Sequence, residues 1–416
     1  MRLGLSGPWQ ELLGKVALLA QAQGANLWLV GGVVRDLLLG ITLGRDLDLA
    51  VEGNPSSLAE KLATTLGGKV VAKHETFGTA TVLLPFTSQT SLNLDLARTR
   101  TETYPSPGAL PIVQPAQITA DLARRDFSLN ALAIPILRTE GKLYLGDLLD
   151  PFKGKEDLAR KQLRVLHPQS FIDDPTRILR GLRLLARLGL EMETQTQEFL
   201  ALALTQRCFE TVTSERIQTE LCLTLEEPEP AKVLYFADKF GITAHIFAPL
   251  HWSEQLDVRM KHRMIDHPQK TLLTAGLLTY DLQVVEIEAL IDRYRLPGEV
   301  ARLLREVNKL KALNPRLAAP KVLRNSDLDH LLRTFSKVAL EVISSAENSS
   351  LAGERIRYYL TQLREIKPTL DGRDLQALGI KPGPKLGQIL AELRAARLDG
   401  LVETEAEERM WVAQKV

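Results

Sequence analysis

Near residue 156 the hydrophobic pattern of this chain changes period, and that change limits the folds open to it. Upstream, "ANLWLVGG" (25–32), "RDLDLAVEG" (45–53), "TATVLLPF" (79–86) and "SLNLDLAR" (91–98) are β-type runs. Between them, "VVRDLLLG" (33–40) and "SSLAEKLATTLGG" (56–68) carry helical periodicity and end in glycine. Downstream, "DPTRILRGLRLLARLGL" (174–190), "SERIQTELCLTL" (214–225), "EPAKVLYFADKFG" (229–241), "GEVARLLREVNKLKAL" (298–313) and "DLDHLLRTFSKVALEVISSA" (327–346) all repeat apolar residues at helical spacing. No strand signal of comparable strength returns. The expected fold is an α/β N-terminal head, a mixed sheet with helices, followed by an extended all-α remainder. Arg98–Ala120, with four prolines and a glycine, reads as an exposed, partly ordered loop.

A length of 416 residues exceeds one compact core and predicts two to four domains. With 45% apolar and 25% charged residues the chain is of ordinary globular composition, not disordered. The net charge of +1 gives no polycation signal, so any nucleic-acid surface has to be local. Two cysteines, Cys208 and Cys222, make neither a disulfide framework nor a zinc site; both are expected as buried small side chains in a reducing compartment. The first twenty residues lack the features of a secretory signal, and no stretch is long and apolar enough to span a membrane. A soluble, cytoplasmic protein is expected.

Asp46 and Asp48 lie two apart in a predicted strand, so both side chains project from one face. Held that close, they repel unless a cation lies between them. Such a pair suits Mg²⁺ serving phosphoryl or nucleotidyl transfer, because magnesium takes one or two carboxylates plus substrate phosphates. A solvated edge strand would show the same spacing. Asp95 in "NLDLAR" offers a third carboxylate, or a strand-end charge. Gly31 and Gly32, between a strand and a helix, leave amides bare for a triphosphate, with Arg35 in the first helical turn able to reach a phosphate. A plain turn, with Asp36 compensating the helix dipole, is the alternative.

In "DLARRDFSLNALAI" (121–134), Arg124, Arg125 and Asp126 abut an apolar helix carrying Asn130. Arginine forks suit phosphates, and Asp or Asn suits ribose hydroxyls, although a capped surface helix would look alike. Asp174 before Pro175 reads as a helix N-cap. Asp174, Arg177, Arg180 and Arg183 also recur every three residues, beside an apolar ridge of Ile178, Leu182 and Leu185. An Asp acceptor and an Arg donor one turn apart can read a base edge; a solvated basic face is the rival reading.

In this order and spacing, the pieces resemble the tRNA nucleotidyltransferases of the bacterial and eukaryotic type, with their poly(A) polymerase relatives, in the DNA polymerase β-like superfamily. "LVGGVVRDLLLG…RDLDLAVEG" is similar to the family's catalytic motif, and "DLARRDFSLNALAI" to its ribose-recognition motif. "LGDLLDPFKGKEDL" (145–158) is similar to its hinge, "DDPTRILRGLR" to its amino-acid template for the incoming base, and "TSERIQTEL" (213–221) to the element that steadies the template. "LDGRDLQALGIKPGPKLGQIL" (370–390) resembles the tail, where a glycine- and proline-rich turn opens a helix towards RNA phosphate.

The resemblance implies a nucleotidyltransferase head at 1–150, a base-recognising helical neck at 151–230, a body at 231–320 and a tRNA-binding tail at 321–416. It implies that Asp46 and Asp48 bind Mg²⁺, that Gly32 and Arg35 hold the triphosphate, and that Arg125 and Asp126 hold the ribose; Gly31, Arg124 and Asn130 are expected nucleotide contacts beside them. Asp174 and Arg177 would select CTP or ATP, with Arg180 and Arg183 supporting. The template begins Asp173-Asp174 where the family usually has Glu-Asp. The implied reaction adds C and/or A residues to the 3′ end of tRNA from CTP and ATP. Full CCA addition, CC-only addition, A-only addition and poly(A) synthesis remain open, and the 98–113 segment favours a product that includes A. No protein partner is implied. A non-catalytic RNA-binding protein and a small-molecule nucleotidyltransferase are the rivals from other classes. "KHRMIDHP" (261–268) and "LDHLLR" (328–333) do not assemble a metal phosphohydrolase set, so no phosphatase activity is expected.

Overall fold

The structure is a computed structural model and describes residues 7–42, 44, 46–87, 90–139, 142–261 and 266–415. Arg45, and residues 262–265 of the "KHRMIDHP" stretch, lie outside them. The chain packs as two compact units, Met1–Glu220 and Leu221–Val416.

Among the described residues the first unit holds eleven strands, of which the first nine are β1 (Asn26–Val30), β2 (Asp46–Glu52), β3 (Lys69–His74), β4 (Thr79–Thr87), β5 (Thr90–Arg98), β6 (Arg100–Thr103), β7 (Ile112–Pro115), β8 (Ala133–Thr139) and β9 (Lys142–Leu145). Seven of them form one sheet in the order β3-β4-β5-β2-β1-β8-β9. Only β2 and β5 run parallel; every other pair in the sheet is antiparallel. The sheet is therefore mixed, as expected. The helices of the unit are α1 (Gly7–Gln21), α2 (Gly32–Leu38), α3 (Pro55–Leu66), α4 (Ile118–Ala123), α5 (Gly154–Ala159), α6 (Ser170–Asp173), α7 (Thr176–Leu188), α8 (Thr194–Thr205) and α9 (Ser214–Leu225).

Alternation along the strands sorts two faces. Leu27, Leu29, Leu47, Leu49, Val51, Ile134 and Ile136 point into a core closed by α1 and α3. Residues of opposite parity (Trp28, Val30, Ala50 and Ala133) join a smaller cluster with Ile118 and Leu122 of α4. Asp46 and Asp48 share that second face, so the strand that fills the main core also displays its carboxylates away from it.

Three expectations are corrected. The proline-rich 98–120 segment is not a loop throughout: β6 and β7 pair as an antiparallel ribbon and α4 follows. Its prolines fall at the turn and the edge of the ribbon, where no ladder hydrogen bond is lost. No apolar helix carries Asn130. Instead α4 ends at Ala123, Ser128–Asn130 forms a 3₁₀ turn, and "ALAI" runs into β8. The buried strand between two partners took residues whose spacing suits either state. The 327–346 pattern is two helices, Asn325–Leu332 and Lys337–Ala346, the second capped by Ser336, whose hydroxyl accepts from the Ala339 amide.

Beyond residue 156 the only strands among the described residues are the two-residue β10 (Gln162–Leu163) and β11 (Glu191–Met192). The second unit is helical, with one core running from Leu273 to Leu363 and including Leu398, and another spanning Leu370–Val412. The body–tail boundary drawn at residue 320 runs through the first of these cores. Cys208 is buried, and burial pushes its thiol up to about 11, while Cys222 is half-buried; neither forms a disulfide.

Candidate active site

The parallel register of β2 and β5 sets Asp48 beside Asp95 and Asp46 beside Asn93. Asp46 Oδ1 accepts from Asn93 Nδ2 at 3.0 Å, and Asp95 Oδ1 accepts from the Thr81 hydroxyl at 2.5 Å. Desolvation by the surrounding protein, then the Asp95 charge, push the Asp48 carboxyl above the usual range, and Asp46 adds to the rise. Arg125 acts the other way. The repulsion anticipated from spacing is therefore present, with Asp95 the stronger partner in it.

Asp48 and Asp95 both line a cavity of about 620 Å³, and Gly31 and Gly32 border it between β1 and α2. Gly31 takes φ 68° and ψ −133°, and a Cβ there would lie 2.9 Å from Arg125 Nη1. Only glycine meets both demands. A Cβ on Gly32 would lie 3.3 Å from Arg35 Nη2. The glycine pair thus makes room for two guanidinium groups, while the Gly31 amide itself is spent on the Leu132 carbonyl at 3.1 Å.

Arg124, Arg125, Asp126 and Asn130 line the same cavity. Asp121, 1% exposed, takes Arg124 at 2.7 Å and Arg125 at 2.9 Å. Burial raises its carboxyl, but the two arginines outweigh burial and hold it below the usual range. Arg125 Nε is buried without a hydrogen-bond partner, a donor left for a ligand. Asp126 Oδ1 accepts from the Phe127 amide and from Asn130 Nδ2, and Oδ2 accepts from Arg180 Nη1 at 3.0 Å.

Asp174, Arg177, Arg180 and Arg183 do not make up a solvated basic face. Asp174, Arg177 and Arg180 line the cavity, and Arg177 is only 4% exposed. Asp174 is not the N-cap expected from the sequence: Pro175 holds that position before α7, and Asp174, one residue earlier, accepts from the Thr176 amide through Oδ1 at 3.1 Å. The same oxygen accepts from Arg216 Nη2 at 2.7 Å. Arg177 donates to the Ser170 hydroxyl, the Tyr104 hydroxyl and the Arg124 carbonyl. Arg183 turns instead to Glu220, at 2.6 Å, and is not among the cavity's lining residues.

Two further expectations need restating. Arg35 is 5% exposed and paired with Asp36 and Asn130 rather than lining the cavity. Asp46 is exposed on the correct face but also lies outside the lining set. Tyr104 and Asp121 were not singled out, because each gains meaning only from a partner brought close by folding; Arg216 and Glu220 lie in the "TSERIQTEL" stretch read as steadying the template, and they bond Asp174 and Arg183.

Among the described residues, no three His, Cys, Asp or Glu side chains gather as a self-sufficient metal site. The donor set still fits a hard divalent cation, which takes one or two carboxylates and completes its shell with water and substrate oxygens. Asp48 and Asp95, side by side and mutually repelling, are such donors.

One wall of the cavity offers carboxylates for a cation and the other offers guanidinium groups for phosphate and sugar, which places the chain among the nucleotidyltransferases, enzymes that use a divalent metal. Residues 27–164 match the poly A polymerase head domain. Over 410 residues the chain is 33% identical to an A-adding tRNA nucleotidyltransferase of Halalkalibacterium halodurans, covering 95% of this chain and 90% of that one. It is 35% identical over 388 residues to a CC-adding tRNA nucleotidyltransferase of Deinococcus radiodurans, covering 92% and 88%. Among solved structures, a CCA-adding enzyme in apo form matches with a TM-score of 0.77 at 29% identity, over 99% of this chain and 97% of that one. The Thermotoga maritima CCA-adding enzyme complexed with tRNA matches with a TM-score of 0.72 at 27% identity, over 99% and 96%. The chain belongs to the tRNA nucleotidyltransferase family. No described helix is long and apolar enough to cross a membrane.

Proposed function

We propose that this chain transfers CMP and/or AMP from CTP and ATP to the 3′ hydroxyl of tRNA without a nucleic-acid template, that the addition includes A, and that Mg²⁺ is its metal. The observation that carries this reading is the single cavity holding Asp48, Arg125, Asp126, Asp174 and Arg177. The terminal hydroxyl gives its proton up to solvent as its oxygen bonds to the α-phosphorus, the bond from that phosphorus to the β-phosphate oxygen breaks, and pyrophosphate leaves. Asp46 and Asp48, with Asp95 alongside, hold Mg²⁺, which supplies charge stabilisation at the reacting phosphate. The side chains contribute alignment. The Gly32 amide and Arg125 take phosphate oxygens, Gly31 giving the room for Arg125, with Arg124 steadying Arg125 through Asp121. Asp126 accepts a hydroxyl of the incoming ribose. Asp174 and Arg177 face the base, held by Arg216 and by Ser170 with Tyr104, while Arg180 ties Asp126 to the same helix.

The ordered β6–β7 ribbon brings Tyr104, Leu110 and Pro111 to the cavity, and this supports the inclusion of A. The head, neck, body and tail divide the work as catalysis, base choice and tRNA grip, in the cytoplasm. The test is to incubate the chain with tRNA ending before CCA, and with tRNA ending in CC, under CTP, ATP or both, and to sequence the products. Terminal A in the ATP reactions is the expected result; incorporation of C with no A overturns it.

A further inference from the structure

Arg35 lies beside the phosphate-facing glycine turn, yet its bonds lead elsewhere. Its Nε and Nη2 reach Asp36 Oδ1 at 2.9 and 2.8 Å, and its Nη1 donates to Asn130 Oδ1 at 2.8 Å. Asn130 passes the constraint on, donating through Nδ2 to Asp126 Oδ1 at 3.1 Å. Asp126, 8% exposed, is closed from the far side by Arg180. Arg125 makes the contrast: it lines the cavity and keeps a buried Nε without a partner. Of the two guanidinium groups tucked against the glycine pair, Arg125 spends one nitrogen on Asp121 and lines the cavity, whereas all three nitrogens of Arg35 are spent on protein acceptors.

We propose that Arg35 is a positioning residue and not a phosphate ligand: through Asn130 it fixes the Asp126 carboxylate in the orientation that distinguishes a ribonucleotide from a deoxyribonucleotide. This rests on the reading of Asp126 as the acceptor of a sugar hydroxyl. Oδ1 is saturated by two donors and Oδ2 has one, so Oδ2 keeps a lone pair for a hydroxyl. A site built to accept from a substrate hydroxyl rejects the analogue that lacks it, but only while the acceptor cannot turn away. Asn130 holds Asp126 with its amide NH₂ only because Arg35 takes its oxygen. That pairing settles which way the amide points, since a flipped amide would set its NH₂ against the guanidinium.

The test uses the full chain and tRNA lacking its 3′-terminal nucleotides, comparing kcat/KM for CTP and dCTP and inhibition by inorganic pyrophosphate. Arg35→Gln and Asn130→Ala are each expected to lower the CTP/dCTP ratio about tenfold, the worth of one hydrogen bond to a charged group. The double variant is expected to fall no further, and pyrophosphate inhibition is expected to match the parent. An unchanged ratio in both single variants overturns the proposal, as does weakened pyrophosphate inhibition in Arg35→Gln with the ratio intact. Should Arg35→Gln fail to fold, the half-buried Asn130→Ala and Asn130→Ser give the same reading. Asp126→Asn separates the two layers. If it keeps the ratio, the sugar assignment itself fails; if it loses the ratio while the Arg35 and Asn130 variants keep it, only the positioning fails.

Discussion

Asp48 has a carboxyl whose charge is disfavoured by its surroundings, by Asp95 and by Asp46, so the folded chain alone gains nothing from it. Asp48→Asn is therefore expected to leave the melting temperature unchanged or raised. It is also expected to cut nucleotide addition by about a thousandfold, about 4 kcal/mol of charge stabilisation at the reacting phosphate. Thermal unfolding and single-turnover incorporation measure the two sides, and a fall in stability together with full activity would contradict both. Gly31→Ala acts in the opposite sense. Its φ of 68° and the closeness of Arg125 predict a loss of about 1–3 kcal/mol and a raised KM for nucleotide as Arg125 is pushed aside. At this scale the sequence was largely legible, because the aspartates and glycines act through spacing of one or two residues. Arg35 was not, since the acceptor that redirects it lies 95 positions downstream.

The ribbon and the turn after α4 show why elements were harder to read than residues. Four prolines suggested a loop, but two short strands need only each other's backbone, and Gly108 with φ 70° supplies the turn between them. A Cβ on Gly108 would collide with the Thr211 side chain and carbonyl, so Gly108→Ala is expected to unseat the ribbon turn. The readout is a lower melting temperature with altered use of ATP against CTP. The RRD segment gave no helix because its cohesion is electrostatic: Asp121 and Asp126 are buried carboxylates held low by Arg124 with Arg125 and by Arg180, against desolvation in both cases. A carboxyl with a lower pKa folded than unfolded stabilises fully above its unfolded value, about 3.9, and loses that stabilisation as pH falls through the folded value. The first unit is thus expected to keep its melting temperature down to about pH 5 and to lose it progressively below about pH 4. Asp121→Asn flattens that fall at a cost of about 3 kcal/mol at neutral pH, because two guanidinium groups lose their buried acceptor. A melting temperature as steep in acid for Asp121→Asn as for the parent would remove Asp121 from the account.

At the scale of the molecule, the change of period near residue 156 does not mark where the packing divides. Helices α5–α8 and most of α9 belong with the sheet in the first unit, and separate apolar cores build the second. Periodicity reports each element's own geometry; the division depends on which apolar faces meet, and that is settled by contacts far apart in sequence. Two units with separate cores predict two calorimetric transitions in the full chain. A ligand that binds only the native form raises stability by RT ln(1 + [L]/Kd), about 2.7 kcal/mol at a hundredfold excess over Kd. Mg²⁺ with CTP meets only the first unit's cavity in the reading above, so one transition is expected to move up and the other to stay. Chelator reverses the shift without unfolding the chain, which is held by its apolar cores. In Asp48→Asn the same addition is expected to move neither transition. Coincident movement of both transitions in the parent would show that the two units melt as one and that packing within each core does not set its stability.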